Sequence, residues 1–494
     1  MSDPESISKR QERHIPSWIL LVLSFLLTIV IVAMLLPVML VFRIYRNVLK
    51  RWIQKDLGDG VKMVSGDDSF WLQDKPENRG IINSLLKFEG QPDIERYRKA
   101  FSERLVNAPD PQRHGKKLFP KMTSYTAKIF HRYVWLPEAR FDICQHVYIH
   151  PDPCLKNKSD MQCLIGEICS TPLPVNKSPW QFIILNPGQG HPECDKFHYA
   201  VFRLHHSIAD GVSLVRVFLK HMVDQPSSEG STRRFGTRHF MRKAIRAAFE
   251  GPHLLLSRLT RSADKNIVHG SRLSGVKSFS WSEPIDLELI KQIKNATGST
   301  VNDVLVSCLA SAFRRYFERY STATPKDILA YVPVDIRPSS GKITLDNQFA
   351  LVFLDLPLDE ENPVETLRKT KRRMDRIKAS PEPVINALAV TYCMNRLPSW
   401  LSELAFDWTA AKSSLVLSNV PGPQKKLKIA STTLESMIFW PPQRTNVGLS
   451  VSIFSYSGAV TVGASADSNI MSNPAILVDM FVSEVYRLEK TLNL

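Results

Sequence analysis

From His14 to Phe42 the chain carries no side chain that is charged at neutral pH, apart from a minor fraction of His14. Trp18 to Leu36 alone supplies 19 mainly apolar positions, enough for a helix rising about 1.5 Å per residue to cross a hydrocarbon core of about 30 Å. A buried core helix fits poorly, because a surface that is apolar all round would need covering on every side. A cleaved signal peptide also fits poorly: the run is about twice the usual length, and no small-residue cleavage pattern precedes Arg43. The reading is a retained transmembrane helix over 14–43 after an N-terminal arm over 1–13, with Trp18 and Tyr45 at its rims and Pro37 bending its last turn. Lys9, Arg10 and Arg13 lead it, and Arg43, Arg46, Lys50 and Arg51 follow. A bias of one charge favours a cytoplasmic main body. The expected location is a single-pass protein of the endoplasmic reticulum, with the plasma membrane as alternative.

The remaining chain is long enough for two domains. At 494 residues, 44% hydrophobic and 23% charged, it excludes small stapled scaffolds, collagen and wholesale disorder. Sixty-four Lys and Arg against 48 Asp and Glu leave a net charge of +16, which suits a partner bearing negative charge. Of seven cysteines, five lie between Cys144 and Cys194 without zinc-finger spacing. They read as reduced core residues, with one local bridge among Cys154, Cys163 and Cys169 as the alternative in an oxidising lumen.

Short alternating stretches, Phe197 to Leu204 and Leu449 to Tyr456, read as strands, and Pro76 to Val106 reads as largely helical. Around Asp224 the text turns to Gln-Pro-Ser-Ser-Glu-Gly-Ser-Thr, a boundary signal. Nine Lys or Arg then lie between Arg233 and Lys265, against Glu250 and Asp264 only. This stretch fits either a solvated basic linker helix or a helix lying on anionic lipid. It divides the body into halves at 52–225 and 266–494, joined by a basic crossover linker over 226–265.

The most informative text runs from Phe197 to Val215. A strand delivers His205 and His206 into a turn, Asp210 stands where it can cap the next helix, and Gly211 permits the tight entry. Adjacent strand residues point to opposite faces, so the two histidines do not share one role. An imidazole with a pKa near 6.5 can take a hydroxyl proton and return it. Zinc is the rival reading, but adjacent histidines do not converge on one ion and no third ligand is indicated.

His205, His206, Asp210 and Gly211 match the motif His-His-x-x-x-Asp-Gly, and here the chain resembles the wax ester synthase and diacylglycerol acyltransferase family. Phe141-Asp142 with His146-Val147, and Pro179-Trp180, resemble further family segments. So do Val301-Asn302-Asp303-Val304, Val332-Pro333-Val334-Asp335-Ile336-Arg337, Asp346-Asn347-Gln348 and Ser418-Asn419-Val420-Pro421-Gly422-Pro423. Ser455-Tyr456-Ser457-Gly458, Gly463 and Asp467 complete the order. The family's N-terminal substrate segment is only loosely echoed by Ser69-Phe70-Trp71-Leu72.

The resemblance implies a mixed α/β fold of two chloramphenicol-acetyltransferase-like half-domains around a central channel; the apolar run places the transmembrane helix before them, although many members of the family lack a strong N-terminal anchor. It implies His206 as the catalytic base of an O-acyltransferase that moves a fatty acyl group from acyl-CoA to a long-chain alcohol or diacylglycerol. No permanently bound cofactor and no metal follow; acyl-CoA is a co-substrate. His205, Asp210, Gly211 and Arg337 become supporting residues, with Arg337 the expected partner of Asp210. Asn302, Asn347, Ser418 and Asn419 are the expected channel or oxyanion donors, and Asn302-Asp303 also reads as a helix cap. The lipid bilayer is a partner, nucleic acid is not, and protein partners are undefined. An acyltransferase for another acceptor, or a silent lipid-binding membrane protein, are the rival readings.

Overall fold

The computed structural model describes residues 17–58, 61–151, 155–186, 193, 195–225, 237–337 and 343–494. Two sheets carry the fold. The first orders Leu427–Ile429, Thr432–Trp440, Ile81–Glu89, Phe197–His205, Trp180–Leu185 and Val147–Ile149. Every residue of Trp180–Leu185 is buried, as expected of an apolar strand covered on both faces. The second sheet orders Phe349–Pro357, Asp327–Asp335, Leu415–Pro421, Leu449–Tyr456, Ala459–Asp467 and Lys277–Trp281, with Ile285–Asp286 pairing off this path. Each sheet has its own apolar core. Phe88, Phe101, Trp180 and Phe182 anchor the first; Phe313, Phe317, Ile453 and Phe481 anchor the second.

The halves are not cleanly divided along the chain. Leu427–Ile429 and Thr432–Trp440 lie in the second half of the sequence, yet Thr432–Trp440 pairs antiparallel with Ile81–Glu89 in the first sheet. The expected division at 225 and 266 does not describe this exchange. Ile81–Glu89 also corrects the helical reading of Pro76–Val106. This segment holds a strand and is helical only over Ile94–Phe101 and its π-helical continuation Ser102–Val106, because pairing with both Phe197–His205 and Thr432–Trp440 outweighs local propensity in its first part.

The N-terminal helix runs without interruption from Ser17 to Asp56 and contains Pro37. Its C-terminal part docks through buried Leu49 and Ile53 onto a small sheet made by Lys62–Met63, Arg132–Pro137 and Ser124–Ile129. Further up, Phe25 stacks on Phe249 of the helix Thr237–Thr260, with ring centroids 5.3 Å apart. Among the described residues no helix is long and apolar enough to cross a membrane, so the transmembrane part of the expectation over 14–43 is not shown. What stands there is a long helix with Val22, Leu26, Met34 and Val41 in the open. The arm 1–13, residues 14–16, linker residues 226–236, Cys154 and Cys194 lie outside the described residues. Cys144, Cys163, Cys169, Cys308 and Cys393 are free thiols.

Candidate active site

The strand Phe197–His205 ends at the seam between the two sheets. Its alternation sends the paired histidines apart. His205 packs within the first half, its Nδ1 2.9 Å from Ser207 Oγ and its Nε2 3.4 Å from Asp74 Oδ2. Burial works against the Asp74 carboxylate, yet His205 and the Gly80 N–H hold it below its ordinary value.

His206 faces a cavity of about 1290 Å³ walled by both halves. Its Nδ1 lies 2.9 Å from Asn347 Oδ1. The Asn347 nitrogen donates to Asp68 Oδ1 and to the His206 carbonyl, both at 2.8 Å. A carboxylate only accepts, so Asp68 orients the Asn347 amide and makes its oxygen the acceptor for His206. The proton of the neutral ring therefore sits on Nδ1, and the lone pair is on Nε2. Among the described residues no hydrogen bond engages that Nε2. Lys121 completes the chain, its Nζ 2.8 Å from Asp68 Oδ2 and 3.0 Å from the Ile208 carbonyl. Burial pushes the His206 imidazole down to about 3, so the ring is neutral at physiological pH.

Asp210 caps the helix Gly211–Val217 by accepting from the Ser213 N–H at 2.9 Å. Its other oxygen accepts from Arg337 at 2.6 Å and from the Gln348 N–H at 2.9 Å. This pair ties the turn after His206 to the second half. Burial alone would lower the Arg337 guanidinium, but the carboxylates of Asp210, Asp335 and Asp346 hold it above its ordinary value.

The expected donors separate. Asn302, Ser418 and Asn419 line the cavity, as do Gly211 and Arg337. Asn419 Nδ2 lies 2.5 Å from Asn302 Oδ1. Asn347 stands behind the His206 ring, with both of its donors occupied, and is not an oxyanion donor in this arrangement. The helix Val301–Tyr320 is capped by Thr300 and Asp303 reciprocally, which corrects the reading of Asn302 as part of the cap and leaves it to the cavity. Two further residues have roles the sequence did not assign: Asp68, which orients Asn347, and Trp71, part only of a loose echo of the family's N-terminal segment, which lies on the His206 ring. Ser65 and Asp68 have the spacing of a capping pair, and Ser65 does cap the helix Gly66–Trp71; that signal marks a helix start, not a site.

Two family models match the chain. The "Wax ester synthase/diacylglycerol acyltransferase catalytic domain" covers residues 63–272, and the "WS/DGAT C-terminal domain" covers 345–489. The chain belongs to the wax ester synthase/diacylglycerol acyltransferase family. It is an acyl-CoA-dependent acyltransferase. Among curated relatives, a Mycobacterium tuberculosis protein named "Probable diacyglycerol O-acyltransferase tgs1" is 24% identical over 82% of this chain and 90% of its own length. "O-acyltransferase WSD" of Acinetobacter baylyi is 21% identical over 72% of this chain and 83% of its own. In three dimensions the chain resembles the wax ester synthase/diacylglycerol acyltransferase of Marinobacter aquaeolei VT8, with a TM-score of 0.61 and 19% identity over 88% of this chain and all of the other. That likeness gives the architecture: two mixed α/β half-domains in the acyltransferase arrangement, with the cavity between them.

Proposed function

We propose that this acyltransferase moves a long-chain fatty acyl group to the hydroxyl of a fatty alcohol or a diacylglycerol, with His206 as general base. The observation that carries the reading is a neutral, buried imidazole whose Nδ1 is tied and whose Nε2 is free, on the wall of the cavity shared by both halves. Drug-sized ligands fill about 300–1,000 Å³; about 1290 Å³ leaves room for more than one chain. Val306, Leu351, Leu354, Met374 and Phe439 give the wall an apolar character suited to alkyl groups. Diacylglycerol and wax ester chemistry also appear in the names of the relatives.

The acceptor oxygen attacks the thioester carbonyl as its proton passes to His206 Nε2. The C–O bond forms, the C–S bond breaks, and the imidazolium returns the proton to the departing CoA sulfur. Asn302 is the favoured oxyanion donor. Its Oδ1 is engaged by Asn419, and among the described residues no hydrogen bond uses its amide nitrogen, which can turn toward a developing charge on the cavity side.

Membrane attachment belongs to the same proposal. Exposed large apolar side chains concentrate on the N-terminal helix and the helices beside it: Leu255 and Leu259, Leu388, then Trp400, Leu404 and Trp408. The last three recur every fourth residue on the helix Ser399–Ala410, a stripe suited to an interface. Substrates dissolved in a bilayer need no extraction into water when the enzyme lies on it, since each buried CH₂ is worth about 0.8 kcal/mol. The bias of one charge across the N-terminal helix favours a body on the cytoplasmic side of the endoplasmic reticulum, or plasma, membrane; protease protection of sealed vesicles checks the side.

The deciding test supplies labelled palmitoyl-CoA with hexadecanol and diolein to the full chain and to its His206→Ala form. A wax ester or triacylglycerol made only by the wild type is expected. Undiminished product from His206→Ala overturns the base, and no ester from the folded wild type overturns the acceptor class.

A further inference from the structure

Trp71 ends the helix Gly66–Trp71, and its indole lies flat on the His206 imidazole, with ring centroids 3.6 Å apart and planes 21° from parallel. Phe70 and Phe349 flank it at 5.1 and 5.6 Å. Phe70 is itself fully buried, with the Arg444 guanidinium 4.3 Å above its ring and Phe406 5.2 Å away. The helix cannot swing off the site, because Asp68 is held by Lys121 and Asn347, and Asp67 accepts from Thr391 at 2.8 Å. The indole N–H is buried and finds no hydrogen-bond partner among the described residues. No polar contact therefore explains the placement of this ring, and its face is what the site uses.

A hydrogen bond at Nδ1 fixes one edge of the His206 ring and leaves the ring free to twist about it. The indole removes that twist. The contact also changes character during the reaction. A neutral imidazole gains dispersion and dryness from it, whereas an imidazolium is attracted by the negative face of the ring, and indole is the strongest such partner. His206 becomes an imidazolium only once the acceptor proton has reached Nε2, so this attraction grows toward the transition state and is absent before it.

We propose that Trp71 is a positioning residue for acyl transfer, setting the plane of the His206 ring and stabilising the imidazolium that forms when the acceptor hydroxyl gives up its proton. The inference rests on His206 being the base. The indole exchanges no proton or electron; the proton moves from acceptor oxygen to Nε2 to CoA sulfur, as above. The charged and titratable groups around the ring are His205, Arg337 with its partner Asp210, and Asp68 with Lys121 behind Asn347. None of them lies in the stack, so loss of the indole acts on the imidazole by letting in water and by removing the π face.

The experiment compares kcat, KM and the pH profile of the full-length wild type with Trp71→Phe, Trp71→Leu, Trp71→Ala and His206→Ala, using palmitoyl-CoA and the acceptor the wild type esterifies. Trp71→Phe keeps a π face and is expected within about threefold of wild-type kcat, while Trp71→Leu keeps the apolar cover alone and loses about tenfold in kcat at unchanged KM. Trp71→Ala admits water, so the acid limb of kcat/KM moves up toward pH 6.5, and Trp71→Phe leaves it in place. Where a variant fails to fold, fluorinated tryptophans placed at position 71 alone keep the shape and drain the ring face; kcat is expected to fall with each added fluorine. Wild-type kcat in Trp71→Leu, an unmoved acid limb in Trp71→Ala, or a flat fluorine series overturns the role of Trp71 while His206→Ala stays inactive. Full turnover by His206→Ala overturns the base beneath it.

Discussion

His206 owes its readiness to two neighbours and to burial. Asn347 keeps the proton on Nδ1 only because Asp68 holds the Asn347 amide in one orientation. Asn347→Ala frees both tautomers, and a loss of about 10²-fold in kcat is expected, read from initial rates at saturating acyl-CoA. Asp68→Asn lets the amide flip and leaves the largely buried Lys121 ammonium without its carboxylate, so a similar fall in kcat together with a lowered thermal midpoint is the expected signature. The pH dependence has a definite sign. The folded His206 pKa, pushed by burial to about 3, lies below the unfolded value near 6.5. Between these limits the unfolded chain binds the proton and the folded one does not, so this group's contribution to stability is full above pH 6.5 and is lost as pH falls toward 3. In kcat/KM the acid limb of the wild type is accordingly expected well below 6.5, and a limb at 6.5 would mean an imidazole open to water.

Among the secondary-structure elements, the turn after the histidines and the strand Leu415–Pro421 shape the site from opposite halves. Asp210 serves two purposes, capping Gly211–Val217 and gripping Arg337 across the seam. Removing one member leaves a buried charge unpaired, at a cost of about 3–5 kcal/mol, so Asp210→Ala and Arg337→Ala are expected to lower the thermal midpoint by many degrees. Double replacement by an apolar pair would lose less than the sum. Gly422, just past the strand, lines the cavity, and a Cβ there would overlap the Ser455 carbonyl oxygen and the Phe454 ring. Gly422→Ala must push two adjacent strands apart. A loss of about 1–3 kcal/mol is expected in chemical denaturation, together with altered acyl-length preference, since Val420, Pro421, Gly422 and Pro423 wall the cavity.

At the scale of the whole molecule, the apolar side chains left in the open are unevenly distributed. The N-terminal helix, Thr237–Thr260 and Ser399–Ala410 hold most of them, while the catalytic sheets bury theirs. Replacing Trp400 and Leu404 together by Ser removes exposed apolar area while leaving Trp408, whose indole donates to the Leu259 carbonyl and lies under the Lys412 ammonium, in place. The expected result is a fall of at least tenfold in partition onto liposomes, measured by flotation, with melting temperature and turnover of a short soluble alcohol unchanged. Unaltered partition would leave attachment to the N-terminal helix alone.

Much of this was legible in the linear text because it is local. A strand, two histidines, a capping aspartate and a glycine occupy one short stretch, and hydrophobic alternation decides which histidine faces which side. The apolar run from His14 to Phe42 dictates a helix for the same reason, since every residue needed is adjacent. The partnership of Asp210 with Arg337 was reachable only through resemblance. The orientation of His206 was not reachable at all: Asp68 and Asn347 meet across 279 positions of sequence, and Trp71 comes to the ring from a segment that carried only a loose family echo. The crossing of Thr432–Trp440 into the first sheet was equally hidden, because strand pairing is chosen by which edges the packed halves leave open. Sequence by itself determined the chemistry available and the face on which it stands; only the tertiary structure decided which distant groups surround it, because desolvation, tautomer and stacking belong to a packed neighbourhood and not to any one segment.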